Sequence, residues 1–224
     1  LTCSLPRGVG YNAFMMLKRS NQRGDFRPVL PGLPRVVVSV LHWDGGVGLV
    51  DALGYLFDID YANFQVVMVD SGKADLSFVE RINRDYPAVQ TIRVDENLGY
   101  AGGNQFAANM ALDSNAALLW IVNPDAKVRR DTLRELVKAY QLHGDALYGS
   151  VPVHREAGDE RVWLKTWVLD ANRRPMFRKR LTIDTAYDDI RDKLPYPVAT
   201  LHGSSLLIPI AVIRRYGFID TSFF

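Results

Sequence analysis

An α/β fold, a mostly parallel sheet flanked by helices, is what this sequence predicts, and three observations carry the prediction. Short β-branched runs of buried-strand length alternate with helical periodicity four times between Arg35 and Leu142. The connections between runs are too long for hairpins, so consecutive strands must pair in parallel through helical crossovers. Three strand ends finish in polar residues or glycine: Val69-Asp70-Ser71-Gly72, Val94-Asp95-Glu96-Asn97-Leu98-Gly99 and Val122-Asn123-Pro124-Asp125. Such exits point to one shared crevice at the carboxyl edge of the sheet, where open α/β folds bind ligands.

The elements follow in order. Residues 1–34 are rich in proline and glycine and read as an extension leading into the domain, with a short helix within Tyr11 to Arg19. The domain proper is expected over 35–224. Arg35 to Leu41 is a buried strand, Val50 to Phe57 has helical spacing, and Phe64 to Val69 is the second strand. Leu76 to Tyr86 is a helix stopped by Pro87, because the residue before proline disfavours the α region. Val89 to Val94 is the third strand, Gly102 to Leu112 a helix, and Leu118 to Val122 the fourth strand. Asp131 to Leu142 is a helix with Asp131 as its candidate cap. Ser150 to Val153 is a short strand, and 154–197 form a polar, aromatic, irregular excursion longer than an ordinary connection. Leu206 to Ile208 is a last strand, and Ile210 to Tyr216 a helical turn.

Composition bounds the function. The chain has 224 residues, 48% hydrophobic and 23% charged, with a formal net charge of +2. Such balance argues against nucleic acid as a main partner, so any phosphate site must be built locally. One cysteine, Cys3, excludes an internal disulfide and a thiolate metal cluster, and fits a cytoplasmic address. No apolar run reaches the roughly 20 residues needed to cross a bilayer. The N-terminus has neither an initiator Met nor the layout of a signal peptide, so residue 1 reads as a cut or processing boundary. The other end, Phe223-Phe224, reads as cut within structure.

Five constellations carry chemistry. Asp70 ends the second strand, where its carboxylate suits a base or ribose; a turn-forming role explains the same residue. Asn97-Leu98-Gly99-Tyr100-Ala101-Gly102-Gly103-Asn104 is the most specific stretch: its glycines allow close backbone approach and the helix behind it offers N–H groups to phosphate. It matches neither a dinucleotide fingerprint nor a phosphate loop ending in Gly-Lys-Ser/Thr, and a plain tight turn stays open. In Asn123-Pro124-Asp125 the proline fixes the backbone and sends Asp125 outward, as a ligand for a divalent cation or as a helix-entry turn. His202-Gly203-Ser204 precedes the last strand, where it faces an acceptor hydroxyl or is merely structural. The basic-aromatic tract Trp163, Trp167, Arg173, Arg174, Phe177, Arg178, Lys179 and Arg180 suits a diphosphate or an anionic membrane, or is a solvated excursion.

At these residues the chain resembles glycosyltransferase family 2, of GT-A fold, and within it the rhamnosyltransferase-like branch. Val69-Asp70-Ser71-Gly72 is similar to that family's V-D-N-G-S, and Asn97 to Asn104 to its N-x-G-F-A-G-G-N. Asn123-Pro124-Asp125 stands for its D-x-D-type metal site, and Gly217-Phe218-Ile219-Asp220 to Phe224 for its G-G-F-D-E-x-F-F. The resemblance implies an inverting transfer from a nucleotide diphosphate sugar to a glycan or lipid-linked acceptor, in polysaccharide or cell-wall biosynthesis. It implies that Leu41, His42 and Asp70 hold base and ribose, and that Asn97, Gly99, Gly103 and Asn123 line the nucleotide-sugar site. By the same likeness Asp125 holds Mg²⁺ or Mn²⁺, while His202, Gly203 and Ser204 face donor or acceptor. Peripheral contact with the inner face of a membrane is a further expectation.

The sequence departs from that pattern at three places. Leu41-His42-Trp43-Asp44 replaces the usual Thr-Tyr-Asn, and Ser71 and Lys73 stand where Asn and Ser are usual. The carboxylate pair that supplies the general base in such enzymes follows the Phe-Phe, so no catalytic base is assigned within the chain and one is expected beyond Phe224. A catalytically incomplete nucleotide-sugar binding or scaffolding module is the alternative. A nucleotidyltransferase fits less well, because His42 to Gly48 carries no Lys or Arg.

Overall fold

The computed structural model describes residues 10–17, 32–43, 47–71, 76–156, 159–162, 167–169, 175–180, 186–195, 197–198 and 200–222. Asp44, Gly72, Lys73, Trp163, Arg173, Arg174, Phe223 and Phe224 lie outside them. One mixed sheet organises the chain. Its parallel half has the order β4 (Val89–Arg93), β3 (Phe64–Asp70), β2 (Val36–His42), β5 (Leu118–Val122). Beyond β5 the sheet continues through β11 (Ser205–Pro209) and β7 (Leu147–Glu156), both antiparallel to their predecessors, to β1 (Gly10–Leu17) and β6 (Lys127–Val128).

The inner parallel strands β2, β3 and β5 are mostly apolar because both faces are covered, whereas the edge strand β4 is mixed. In β2, Val36, Val38 and Val40 join one core with α1 (Val47–Phe57), α2 (Leu76–Asp85) and α4 (Thr132–His143). The alternate Val37 joins a second core with α3 (Gly99–Asp113) and α5 (Ile210–Tyr216), through Ala107, Ala108, Ala111, Ile210 and Ile213. All five residues of β5 are buried, and at about 1.5–3 kcal/mol for each large apolar side chain this strand anchors the middle of the sheet.

The alternation read from the sequence is present, with adjustments that have local causes. The helix expected in Tyr11 to Arg19 is instead the strand β1, since Phe14 to Leu17 pair antiparallel with β7 at the sheet's far side. The turn before α3 is tightened by Asn97, whose Oδ1 accepts the Gly99 N–H at 2.9 Å, so the helix starts at Gly99 rather than Gly102. Asp131 occupies the cap position of α4 without a side-chain capping bond; its carboxylate lies 3.6 Å from Arg129 Nε, and Thr132 Oγ1 accepts the Arg129 N–H instead. The stretch expected to be irregular holds β8 (Asp159–Val162), paired with β7, and an antiparallel hairpin of β9 (Trp167–Leu169) and β10 (Pro175–Arg180). Among the described residues, no helix is long and apolar enough to cross a membrane.

Candidate functional site

Topology alone locates the site. From β2 the chain runs outward to β3 and β4, then returns to place β5 on the other side of β2. That reversal opens a crevice outside the carboxyl ends of β2 and β5, between helices packed on opposite faces. The ends of β2, β3 and β5 and the residues before β11 meet at this edge.

At the end of β2, His42 sits in register with Asp70 of β3, and Asp70 with Arg93 of β4. His42 Nδ1 lies 3.1 Å from Asp70 Oδ1, and Arg93 Nε lies 3.7 Å from Asp70 Oδ2. Asp70 is fully buried and His42 nearly so, with the imidazole stacked 5.3 Å from the Phe78 ring of α2. Asp70 Oδ2 has no hydrogen-bond partner among the described residues. A buried carboxylate needs compensation; the Arg93 guanidinium supplies the charge and the His42 ring nitrogen a polar contact. Ser71 closes the corner: its N–H and its hydroxyl both donate to the His42 carbonyl, at 2.9 and 2.8 Å.

The glycine-bearing turn is built differently from its sequence reading. Gly99 has φ of +65°, a left-handed geometry that an L side chain adopts only with strain. Gly103 lies inside α3 against β2, where a Cβ would stand 2.3 Å from Leu41 Cδ1. The absence of that carbon lets α3 settle directly on β2. Leu41, expected at the nucleotide, is therefore occupied against this helix. Asn104 pins the same joint: its Oδ1 accepts the Ser39 hydroxyl at 2.6 Å, and its Nδ2 donates to the Tyr100 carbonyl at 2.8 Å. Asn104 is completely buried, and its bond to Ser39 is protected from water.

The last strand brings the remaining pieces together. β11 runs antiparallel to β5 with Ser205 opposite Val122, so the residues before β11 lie beside the residues after β5. The Asn123 N–H donates to the Ser204 carbonyl at 3.0 Å, and the Ala126 N–H to the Asn123 carbonyl at 3.1 Å, which closes the turn around Pro124. Asp125 stands exposed at the tip of that turn, packed against the start of α1, where a Cβ on Gly48 would lie 3.4 Å from its own. His202 bonds through Nδ1 to the Ser204 hydroxyl. Burial pushes the His202 pKa down, while the Asp125 charge pulls it up, so imidazole and carboxylate share one electrostatic neighbourhood. Tyr100, at the first turn of α3, donates its hydroxyl to the Gly203 carbonyl at 2.6 Å. The turn at Gly99, Asp125 and the His202–Ser204 segment thus lie on one side of the molecule, linked by an unbroken chain of contacts.

Among the described residues, the exposed carboxylate at this turn is Asp125. Among the described residues, no group of three or more His, Cys, Asp and Glu is gathered to hold a metal. Oxygen ligands from a bound diphosphate would have to complete such a site, which fits the habit of Mg²⁺ at phosphate centres. Tyr100 and Asn104 were absent from the sequence-derived site, although both fall within its most specific stretch. Their tie-points, Gly203 and Ser39, are about 100 and 65 residues away in the chain, and no local pattern reveals them.

Residues 31–200 match the family model described as Glycosyl transferase family 2. The low-salt glycan biosynthesis hexosyltransferase Agl10 of Haloferax volcanii is 26% identical over 134 residues, covering 57% of this chain and 39% of that protein. A mannosyltransferase from Pyrobaculum calidifontis, solved with GDP-Man and Mn²⁺, superposes with a TM-score of 0.53 at 22% identity, covering 89% of this chain and 51% of that one. S. aureus TarS 1–349 in complex with UDP gives 0.53 at 16% identity, with coverage of 84% and 51%. The chain therefore spans about half or less of the length of the relatives it matches. Together with a crevice at the switch between β2 and β5, the structural likenesses make the fold GT-A, and the family match shows that the chain belongs to glycosyltransferase family 2.

Proposed function

We propose that the crevice binds a nucleotide diphosphate sugar and that the chain carries the donor half of an inverting sugar transfer to a glycan or lipid-linked acceptor. One observation supports this most: Asp125, the Gly99 turn and the His202–Ser204 segment converge on the carboxyl edge of β2 and β5. A pyrophosphate lying there would meet the first N–H groups of α3 on one side and an exposed carboxylate on the other. Solved relatives hold GDP-Man with Mn²⁺ and UDP, and a ligand of that class suits the present geometry.

Each residue then has a part. The His42–Asp70–Arg93 corner forms the floor beneath the base and ribose, with Asp70 Oδ2 as an unused acceptor for a donor N–H or O–H. Asn97, Gly99 and Asn123 border the sugar and phosphates, while Leu41 and Gly103 hold α3 in place behind them. Asp125 holds Mg²⁺ or Mn²⁺, which neutralises charge on the departing diphosphate when bound. His202, Gly203 and Ser204 face the transferred sugar. The acceptor proton requires a base, and no residue of this chain is assigned that part.

The wider assignment belongs to the same proposal. Residues 35–224 form the transferase domain, with 1–34 an extension that lays β1 on its sheet. The enzyme works in the cytoplasm at the inner face of a membrane, drawn there by the five cations from Arg173 to Arg180, and serves polysaccharide or cell-wall assembly. Flotation with anionic vesicles tests the address: neutralising those five residues should abolish co-flotation, and unchanged binding disposes of the idea.

The donor reading is tested by calorimetric titration with UDP, GDP and dTDP, in Mn²⁺ and then in EDTA. At least one nucleotide should bind, more tightly with metal, and Asp125→Ala should remove the metal's contribution. No heat from any of the three in Mn²⁺ would refute it.

A further inference from the structure

We propose that the Tyr100 hydroxyl is a positioning group, a strap from the start of α3 to the Gly203 carbonyl that holds the His202–Ser204 segment over the donor crevice beside Asp125. The inference deepens the donor-site reading and rests on it.

Three independent observations carry the strap. The bond itself is short and spans the crevice, from Tyr100 Oη to the Gly203 carbonyl oxygen at 2.6 Å. The receiving residue is shaped for it: a Cβ on Gly203 would stand 3.0 Å from Tyr100 Oη and 3.2 Å from Cζ, so any side chain there pushes the ring away. Gly203 is not among the glycines with positive φ, so space rather than backbone strain explains it. Both ends of the strap are also tied down. On the α3 side, Asn104 holds the Tyr100 carbonyl and is itself held by Ser39 of β2. On the far side, the Asn123 N–H holds the Ser204 carbonyl, and Ser204 and Ser205 are buried.

The consequence is positional. The segment before β11 is already packed through Leu201 beside Gly149 and tied at Ser204, and the bond at Gly203 adds a restraint directly after His202. Strapped at Gly203, it is pinned at two successive residues, and the imidazole stays within the field of Asp125. Although the Tyr100 ring is part-exposed, the enclosure of its hydroxyl end pushes the phenol above its ordinary range, so it remains a donor at every working pH.

Two variants test the proposal, Tyr100→Phe, which deletes only the hydroxyl, and Gly203→Ala, which displaces the ring. Amide hydrogen exchange in the ligand-free chain reads the strap, and calorimetry with GDP, UDP and dTDP in Mn²⁺ reads its effect on the site. Both variants should speed exchange at Gly203 and Ser204 and leave Ala107 and Ala108 in α3 unchanged. Both should weaken nucleotide binding about fivefold to tenfold, the size of one net hydrogen bond. Faster exchange with unaltered affinity would make the bond structural only and overturn the positioning role. Unaltered exchange in Tyr100→Phe would overturn the strap itself. Absence of nucleotide binding by the unsubstituted chain would sink the donor reading and the positioning role together, a result distinct from failure of the variants alone.

Discussion

Gly103→Ala is the substitution that most directly examines how α3 is seated. The added Cβ would lie 2.3 Å from Leu41 Cδ1, 2.9 Å from Cδ2 and 3.2 Å from Cγ, against a comfortable carbon–carbon separation of about 3.5–4.0 Å. Leu41 is part-buried and packs against the core that holds Val37, Val69 and Ala107, so turning it away gives up those contacts. Overpacking of this kind costs about 1–3 kcal/mol. Replacing a mid-helix glycine with alanine returns about 0.5–1 kcal/mol of backbone entropy. At mid-range values the net effect is a loss of about 1.2 kcal/mol, a fall in Tm of roughly 2–5 °C for a chain of this size. Gly54→Ala supplies the control within α1, where the nearest atom to the new carbon is Tyr86 Oη at 3.9 Å. There only the entropic gain remains, and Tm should rise by about 1–4 °C. Differential scanning calorimetry of both variants decides the matter. A Gly103→Ala chain as stable as the parent would show that helix and strand are not in the contact described, and the argument for a glycine-mediated joint would fail. Adding Leu41→Ala to Gly103→Ala should cost less than the two changes separately, since the clash is then relieved.

Further outcomes follow from the same geometry. Ser39→Ala leaves the buried Asn104 Oδ1 without its donor and should cost about 1–3 kcal/mol by urea denaturation; a loss below a few tenths would show that water reaches the site. Trp120→Phe removes the Nε1 bond to Ser205 Oγ, 3.1 Å long in a fully buried setting, and should lower stability by about 1–3 kcal/mol. Full stability in that variant would contradict the Trp120–Ser205–Ser150 hydroxyl chain. For His202, burial lowers the folded-state pKa against the opposing pull of Asp125. The folded chain therefore takes up its proton less readily than the unfolded one. Its stability should be complete above the unfolded value of about 6.5 and should drain as pH falls through that value. His202→Gln should flatten the dependence between about pH 7.5 and pH 5, and an identical loss in both chains would refute the assignment.

The alternation of strands and helices was legible in the sequence because burial on both faces writes near-continuous apolar runs, as in Val36 to Val40 and Leu118 to Val122. The exits at Asp70, Asn97 and Asn123 were legible too, since polar and glycine residues directly after such runs can only lie at a sheet edge. Two features escaped the sequence for a common reason. Tyr11 to Arg19 lacks a clean period, and its strand exists because β7 offers a partner more than 120 residues away. Gly103 looked like a ligand-facing glycine because its sequence cannot announce Leu41 as its neighbour.

By itself, then, the chain's order of residues determined the α/β class, the set of strand ends that bear chemistry, and the glycosyltransferase family they resemble. Tertiary structure alone decided which of those residues are available. The register of β11 against β5 set His202 and Ser204 beside Asn123 and Asp125. The pairing of β2, β3 and β4 buried Asp70 between His42 and Arg93. Local pattern records how a segment is covered, period by period. Which distant segment does the covering depends on strand order and register, and those are properties of the assembled sheet.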